Sequence, residues 1–255
     1  MNDYHHFLFP YAYNILGSAE DAKDAVQDVI FNYLSADRKN IENEKGYLVR
    51  SVINQSINIK NKKKRISYGD MWLPEPVATE SADRNTDLRE IASYSLLILL
   101  EKLTPKERAV FILKEAYHYS HDEIAGILNG TVEQSRKLLS RAKAKLPEPV
   151  SVETAPKTST KLLEKYMHAI RGSDMKELEN LLTDDIAFYA DGGTTVNVYK
   201  KTAVGSAEVA GLLQYVYERY DKDLRMVTAE INHEPALLYY RNDELVACQV
   251  FSVDG

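Results

Sequence analysis

The chain has one cysteine, Cys248, in 255 residues. That excludes an intrachain disulfide framework and suits a reducing compartment. It also lacks any apolar run near the roughly 20 residues that cross a bilayer. The longest unbroken stretches resemble Leu96–Leu100. The opening MNDYHHFLFPY has no basic segment ahead of an apolar one, so it does not read as a secretory signal. Metal-ligand spacing is missing as well. His5 and His6 are adjacent, and His118 and His121 have no Cys or third His nearby, so no zinc site and no cofactor are expected. Apolar residues at 44% and charged residues at 27% leave an ordinary globular mixture, and the length allows one to three domains.

The net charge of −6 is unevenly distributed. From Pro147 onward there are 11 Lys/Arg against 18 Asp/Glu, net −7, leaving 21 against 20, net +1, for residues 1–146. In that nearly neutral part the positive charge is gathered: five of the six residues Lys60–Arg65 are basic, and Arg136–Lys145 holds five more. Two basic patches on a balanced body are the electrostatic pattern of a nucleic-acid binder. A single such run would more simply be a solvated helix face.

Five segments separate by composition. Residues 1–66 read as helical: Leu16-Gly17-Ser18 ends one helix and Ser18 caps the next, which carries Ala22, Ala25, Val26, Val29, Ile30, Tyr33 and Leu34 as one apolar stripe. After the polar Ser35–Lys45, Gly46–Lys62 resumes the pattern with Leu48, Val52, Ile53, Ile57 and Ile59. Residues 67–87 form a linker around Trp72-Leu73-Pro74-Glu75-Pro76, where each proline disfavours helix before it. Residues 88–146 form a second helical block with capping boxes at Thr104–Glu107, Ser120–Glu123 and Thr131–Gln134. Residues 147–160 are a second linker. Residues 161–255 have an α+β pattern, with helices over Leu162–Ile170, Met175–Leu182 and Ala207–Tyr220, and strands over Ile186–Ala190, Thr195–Tyr199, Ala236–Arg241 and Leu245–Val253.

The second block holds a helix-turn-helix. Its first helix starts at Ser120 and turns Ile124, Ala125, Ile127 and Leu128 inward; Asn129-Gly130 makes the turn; the second helix starts at Val132 and runs to about Leu146. On the second helix Ser135, Leu138, Leu139, Ala142 and Leu146 share one side. Glu133, Arg136, Lys137, Ser140 and Ala144 share the other, with Gln134, Arg141 and Lys143 on the flanks. An apolar back and a basic, hydrogen-bonding front suit the major groove. An amphipathic hairpin with a basic exposed face would show the same wheel.

Three segments, in order, resemble one family. Leu100–Glu115, Tyr119–Leu128 and Ser135–Ala142 resemble the −35-reading domain of bacterial RNA polymerase sigma factors of the extracytoplasmic-function type. Leu16–Phe31 resembles their clamp-docking helix, and Tyr47–Asn58 their −10 helix. The resemblance implies two all-α domains, sigma region 2 over 1–66 and sigma region 4 over 88–146. It also implies the polymerase core as partner, through its β′ clamp and β flap, together with promoter DNA. It assigns polymerase binding to Asp24, Gln27 and Asp28. It assigns −10 contacts to Arg50, Asn54, Asn58, Lys62, Lys63, Lys64 and Arg65, and −35 contacts to Thr131, Glu133, Gln134, Arg136, Lys137, Ser140 and Arg141.

Trp72–Pro76 and Asp191-Gly192-Gly193 resemble signatures of sigma factors fused to a SnoaL-like domain of the NTF2 fold, which implies that residues 161–255 form a regulatory α+β cone domain. Thr194 stands where a third glycine is usual. Family members continue past the hairpin-turn signal Asp254-Gly255, so a shortened domain with an open sheet edge is expected. Such folds also hold small ligands or catalytic groups. Asp191, Tyr189, His168 and His233 are the candidates for catalysis here, and a turn role for Asp191 is the simpler reading. The expectation is therefore a cytoplasmic, non-enzymatic initiation factor that binds no membrane, with a ligand in the C-terminal cavity as an added role. The rival is a ligand-sensing helix-turn-helix regulator that does not engage polymerase.

Overall fold

A computed structural model of the chain describes residues 2–36, 41–64, 73–79, 86–147, 160–191 and 202–252. These fall into two compact units. The first holds the helical residues up to 147 without Leu73, and the second holds 160–252 together with Leu73.

The first unit is all helical. Helix α1 (Asn2–Leu16) ends at Gly17, whose φ of 72° suits a residue without Cβ. Ser18 then caps α2 (Ala19–Ser35) by accepting from the Asp21 amide at 3.1 Å, as its sequence foretold. The stripe on α2 is buried from Ala22 to Tyr33, but Leu34, expected in it, is 38% exposed at the helix end. Helix α3 (Glu44–Lys64) runs beside α1 and α2 and buries Leu48, Val52, Ile53 and Ile57. The short α4 (Thr86–Arg89) and α5 (Tyr94–Leu100) follow. Then come α6 (Pro105–Glu115), α7 (His121–Ile127) and α8 (Val132–Lys145). All three expected capping boxes are complete, at Thr104/Glu107, Ser120/Glu123 and Thr131/Gln134. One contiguous core runs from Leu8 on α1 to Leu146 beyond α8, so the two helical blocks of the sequence share an interior.

Polar groups stitch that shared interior. Asn14 on α1 is fully buried. Its amide donates to the Glu90 carbonyl at 2.8 Å and to the Tyr117 hydroxyl at 3.3 Å, and its Oδ1 accepts from the Ala92 amide at 2.8 Å. Its carbonyl accepts from Nε of Arg108 at 2.7 Å. Arg108, on α6, is itself fully buried and pairs with Glu101. Glu101 also takes Lys60 of α3 at 2.9 Å. Burial pushes the Arg108 pKa down against the opposing pull of Glu101.

In the second unit α9 (Thr160–Gly172), α10 (Met175–Asn180) and α11 (Ser206–Val216), the last continued by a π-turn over Tyr217–Asp221, accompany two sheets. Strands β1 (Ala187–Phe188) and β2 (Ala203–Val204) form a small antiparallel pair. Strands β3 (Arg225–Ile231), β4 (Glu234–Arg241) and β5 (Glu244–Val250) form an antiparallel meander in the order β3-β4-β5. Met226 and Tyr239 are register partners, and with Leu237 they bury one sheet face against Leu163, Tyr166, Ile170 and Leu213. The α+β class is as expected. Strand β3 lies in a stretch from which the sequence yielded no strand, and the expected strand over Thr195–Tyr199 lies outside the described residues.

Removing one partner of a buried, hydrogen-bonded charge leaves the other unsatisfied. Arg108→Ala is expected to lower unfolding free energy by about 3 kcal/mol, the low end of that class because Glu101 keeps Lys60 and some solvent. Urea denaturation of the full chain, following the helical signal, checks this.

Candidate nucleic-acid interface

The helix-turn-helix is α7, a turn at Leu128–Gly130, and α8. Asn129 takes φ 52°, a left-handed conformation that Asn tolerates better than most residues. Ser135 on α8 is buried, and its Oγ lies 2.8 Å from Nδ1 of His121, joining the two helices. Burial lowers the His121 pKa, and Lys114 and Arg136 add to the effect. Ala142 and Leu146 are buried and Leu138 and Leu139 half-buried, which leaves the polar side of α8 facing solvent.

Of the −35 candidates, Arg136, Ser140 and Arg141 are exposed. Glu133 and Lys137 form an exposed ion pair at 2.7 Å, worth little in water. Thr131 and Gln134 are engaged in capping α8, Gln134 accepting from the Thr131 amide at 3.0 Å and Thr131 from the Gln134 amide at 3.2 Å. Five basic residues, Arg136, Lys137, Arg141, Lys143 and Lys145, are exposed along this helix. Lys143 is paired with Glu115 at 2.9 Å and Lys145 with Glu107 at 2.6 Å.

The −10 candidates on α3 divide. Asn58 and Lys62 are exposed, and Lys63 reaches Asp21 at 2.6 Å. Lys60, part of the basic run, is only 13% exposed and is held by Glu101 and the Leu16 carbonyl. The side chain of Lys64, and Arg65 altogether, lie outside the described residues. Arg50 and Asn54 face the helix-turn-helix. The Arg50 guanidinium donates to Oδ1 of Asn129, and the Asn54 amide donates to the Ile127 carbonyl at 2.8 Å.

The polymerase candidates Asp24, Gln27 and Asp28 line the exposed side of α2, where Asp28 accepts from Gln55 of α3 at 3.3 Å. Phe31 continues this side at 69% exposure.

The linker residues make specific bonds. Glu75 caps α2 from 55 or more residues away: its carboxylate accepts from the Ser18 hydroxyl at 2.9 Å, the Ala19 amide at 2.7 Å and the Glu20 amide at 3.1 Å. Helix N-termini favour such a negative group. The Glu75 amide donates to the Gly17 carbonyl at 2.8 Å, Tyr13 donates to the Glu75 carbonyl at 2.6 Å, and Tyr94 to the Pro74 carbonyl at 2.8 Å. Pro74 is buried and Pro76 exposed. Within the second unit the Leu73 amide donates to Asp191 at 3.3 Å. Trp72, Gly192 and Gly193 lie outside the described residues.

The other candidates of the second unit are not gathered. Asp191 and Tyr189 are exposed at the end of β1, His168 is exposed on α9, and buried His233 sits in the β3–β4 turn, 3.9 Å from Glu230. His168 lines an open groove of about 460 Å³ with Glu164, Met167, Arg171 and Gly172. The interior holds a polar group the sequence did not reveal: Gln249 accepts from Tyr239 at 2.8 Å and Tyr166 at 3.2 Å, and burial pushes the Tyr166 hydroxyl up to about 12. Among the described residues no helix is long and apolar enough to cross a membrane. Nor do three or more His, Cys, Asp or Glu residues gather among them as a metal site.

The family model for Sigma-70 region 2 matches residues 1–66, and that for Sigma-70, region 4 matches residues 95–146. The ECF RNA polymerase sigma factor SigJ of Mycobacterium tuberculosis is 26% identical over 226 residues, covering 85% of this chain and 72% of the relative. The probable ECF RNA polymerase sigma factor SigI of the same species is 24% identical over 258 residues, 98% of this chain and 86% of the relative. A crystal structure of the M. tuberculosis extracytoplasmic function sigma factor SigJ shares the fold, with a TM-score of 0.73 at 20% identity over 97% of this chain and 93% of that one. With both sigma-70 regions matched in order on the two helical blocks, and such relatives aligned along most of its length, the chain belongs to the sigma-70 family as a sigma factor of the extracytoplasmic-function type.

Proposed function

We propose that the chain brings core RNA polymerase to promoters by three surfaces on its first unit and that its second unit tunes this activity. The acidic side of α2, Asp24, Gln27 and Asp28, meets the β′ clamp, while the helix-turn-helix block meets the β flap. Charge complementarity of this kind sets orientation and encounter rate. On α3, Arg50, Asn54, Asn58 and Lys62–Arg65 take the −10 element. On α8, Arg136, Lys137, Ser140 and Arg141 enter the major groove at the −35 element, with Thr131, Glu133 and Gln134 shaping the helix start.

The observation that carries this reading is α8 itself. Its N-terminus is fully capped, its back is packed through Ser135, Ala142 and Leu146, and its front offers two unpaired-type readers, Arg136 and Arg141, whose forked guanidinium groups fit guanine edges. We read residues 161–255 as the SnoaL-like regulatory domain and 67–87 as the linker that reports on it, because Leu73 bonds Asp191 and Glu75, two residues on, caps the polymerase-facing helix. Asp191 acts here as a hydrogen-bond acceptor for the backbone, and the chain works in the cytoplasm as an initiation factor without turnover or cofactor. The α9 groove is where a small ligand would act.

Arg136→Ala is expected to weaken binding to the cognate −35 duplex about 5- to 150-fold, the equivalent of one lost base contact, with core-polymerase co-purification unchanged. Equal affinity of the unmutated chain for cognate and scrambled −35 duplexes would sink this reading. Asp191→Ala is expected to change transcript yield from the full chain with core polymerase at least about twofold while leaving −35 affinity alone, through loss of a bond typically worth about 1 kcal/mol. An unchanged yield argues against regulation through Leu73.

A further inference from the structure

We propose that His121 is a further member of the −35 surface: its ring, fixed between α7 and α8, takes up a proton from solvent as α8 seats on DNA, so that protons strengthen promoter binding. The inference rests on the reading of α8 as the −35 helix.

The ring is placed by its neighbours. His121 opens α7 directly after the cap residue Ser120. Its Nδ1 lies 2.8 Å from Oγ of Ser135, which is 2% exposed on the packed side of α8. A hydroxyl donates to a neutral ring nitrogen or accepts from a protonated one. The bond therefore persists in either state, and protonation changes the charge of the ring without moving it.

The charges around the ring decide which state is favoured. Lys114 of α6 and Arg136 of α8 act on it as like charges, and Asp122 of its own helix opposes them. The Lys114 ammonium is held at the entry to α7, where it donates to the Tyr119 carbonyl at 3.1 Å. Arg50 of α3 meets the other end of α7, at Asn129. Burial and the two cations together hold the proton affinity of the ring below its ordinary level.

DNA reverses that balance. Arg136 follows Ser135 in sequence and stands exposed on the front of α8. An acceptor of the DNA that meets Arg136 offsets part of the repulsion felt at the ring, and the field of the phosphates adds attraction. A solvent proton then completes the second ring N–H. The coupling is reciprocal: if DNA raises the proton affinity of the ring, protons raise the DNA affinity by the same factor. Its sign is fixed by the two states. At high pH the ring is neutral in both and contributes nothing. As pH falls through the pKa of the DNA-bound state the affinity rises, and it levels off below the pKa of the free state. Each unit between the two is worth about tenfold in affinity.

Two substitutions outside the −35 candidates test this. His121→Asn keeps a side-chain acceptor for Ser135 and does not titrate. Lys114→Gln keeps a donor for the Tyr119 carbonyl and removes one cation, which moves both ring pKa values upward. The probe is a fluorescent duplex carrying the cognate −35 element. It is titrated by anisotropy with the full chain in complex with core polymerase, from about pH 8.5 to about pH 6, the range in which a histidine changes charge. Circular dichroism confirms that both variants are folded. Over that range the parent is expected to gain at least about threefold more affinity than His121→Asn, and Lys114→Gln to show its rise at higher pH than the parent. Matching profiles for the parent and His121→Asn overturn the proposal and leave His121 a structural staple between α7 and α8. Should His121→Asn not fold, a profile unmoved by Lys114→Gln overturns it instead. Equal binding of cognate and scrambled duplexes by the parent complex overturns the −35 reading of α8 and the proposal with it.

Discussion

The buried bonds around Asn14 set what this molecule is. One asparagine on the first helix meets the Glu90–Ala92 turn through its side chain and Arg108 through its carbonyl. Arg108 meets Glu101, and Glu101 meets Lys60 of α3. The helices α1 to α3 thus share one interior with α5 to α8. A shared apolar core alone would tolerate sliding. Directional bonds to buried groups fix a register, because each displaced partner would leave an unsatisfied polar atom in the interior.

That constraint explains the fate of the basic run. From composition, Lys60–Arg65 is a uniform patch for phosphates. In the folded chain its first lysine is a structural cation, 13% exposed and paired, and Lys63 leans on Asp21 at the start of α2. Charge density in a sequence therefore overstates the surface left for nucleic acid. The same holds for α8, where Lys143 and Lys145 tie back to Glu115 and Glu107 on α6 and Lys137 pairs with Glu133 on its own helix, beside the exposed Arg136 and Arg141.

Local rules made much of the helical part legible. Ser18, Thr104, Ser120 and Thr131 announced four helix starts because capping needs only a side chain and an amide three residues on. The wheel of α8 was readable for the same reason. What escaped is what spans distance. Glu75 gave no local sign of capping α2, since its partners lie 55 to 57 residues away. Arg50 and Asn54 looked like a free polar face, and only the fold brings Asn129 and Ile127 to them. Strand β3 escaped because its hairpin turns on Asn232-His233, both at positive φ, instead of the Asn-Gly pair that marks such turns.

The chain is a sigma factor whose two helical blocks share one interior in the free protein. The most direct test of that closed body is the distance between a spin label on the exposed end of α3 and one on the exposed face of α8 of the full chain, measured by pulsed dipolar spectroscopy. In the free protein the account predicts a single short distance, within about 40 Å once label arms are added to the helix geometry. With core polymerase and promoter DNA it predicts a distance beyond about 60 Å, approaching the spacing of the two elements on the duplex. An unchanged short distance in a complex that initiates transcription would contradict it.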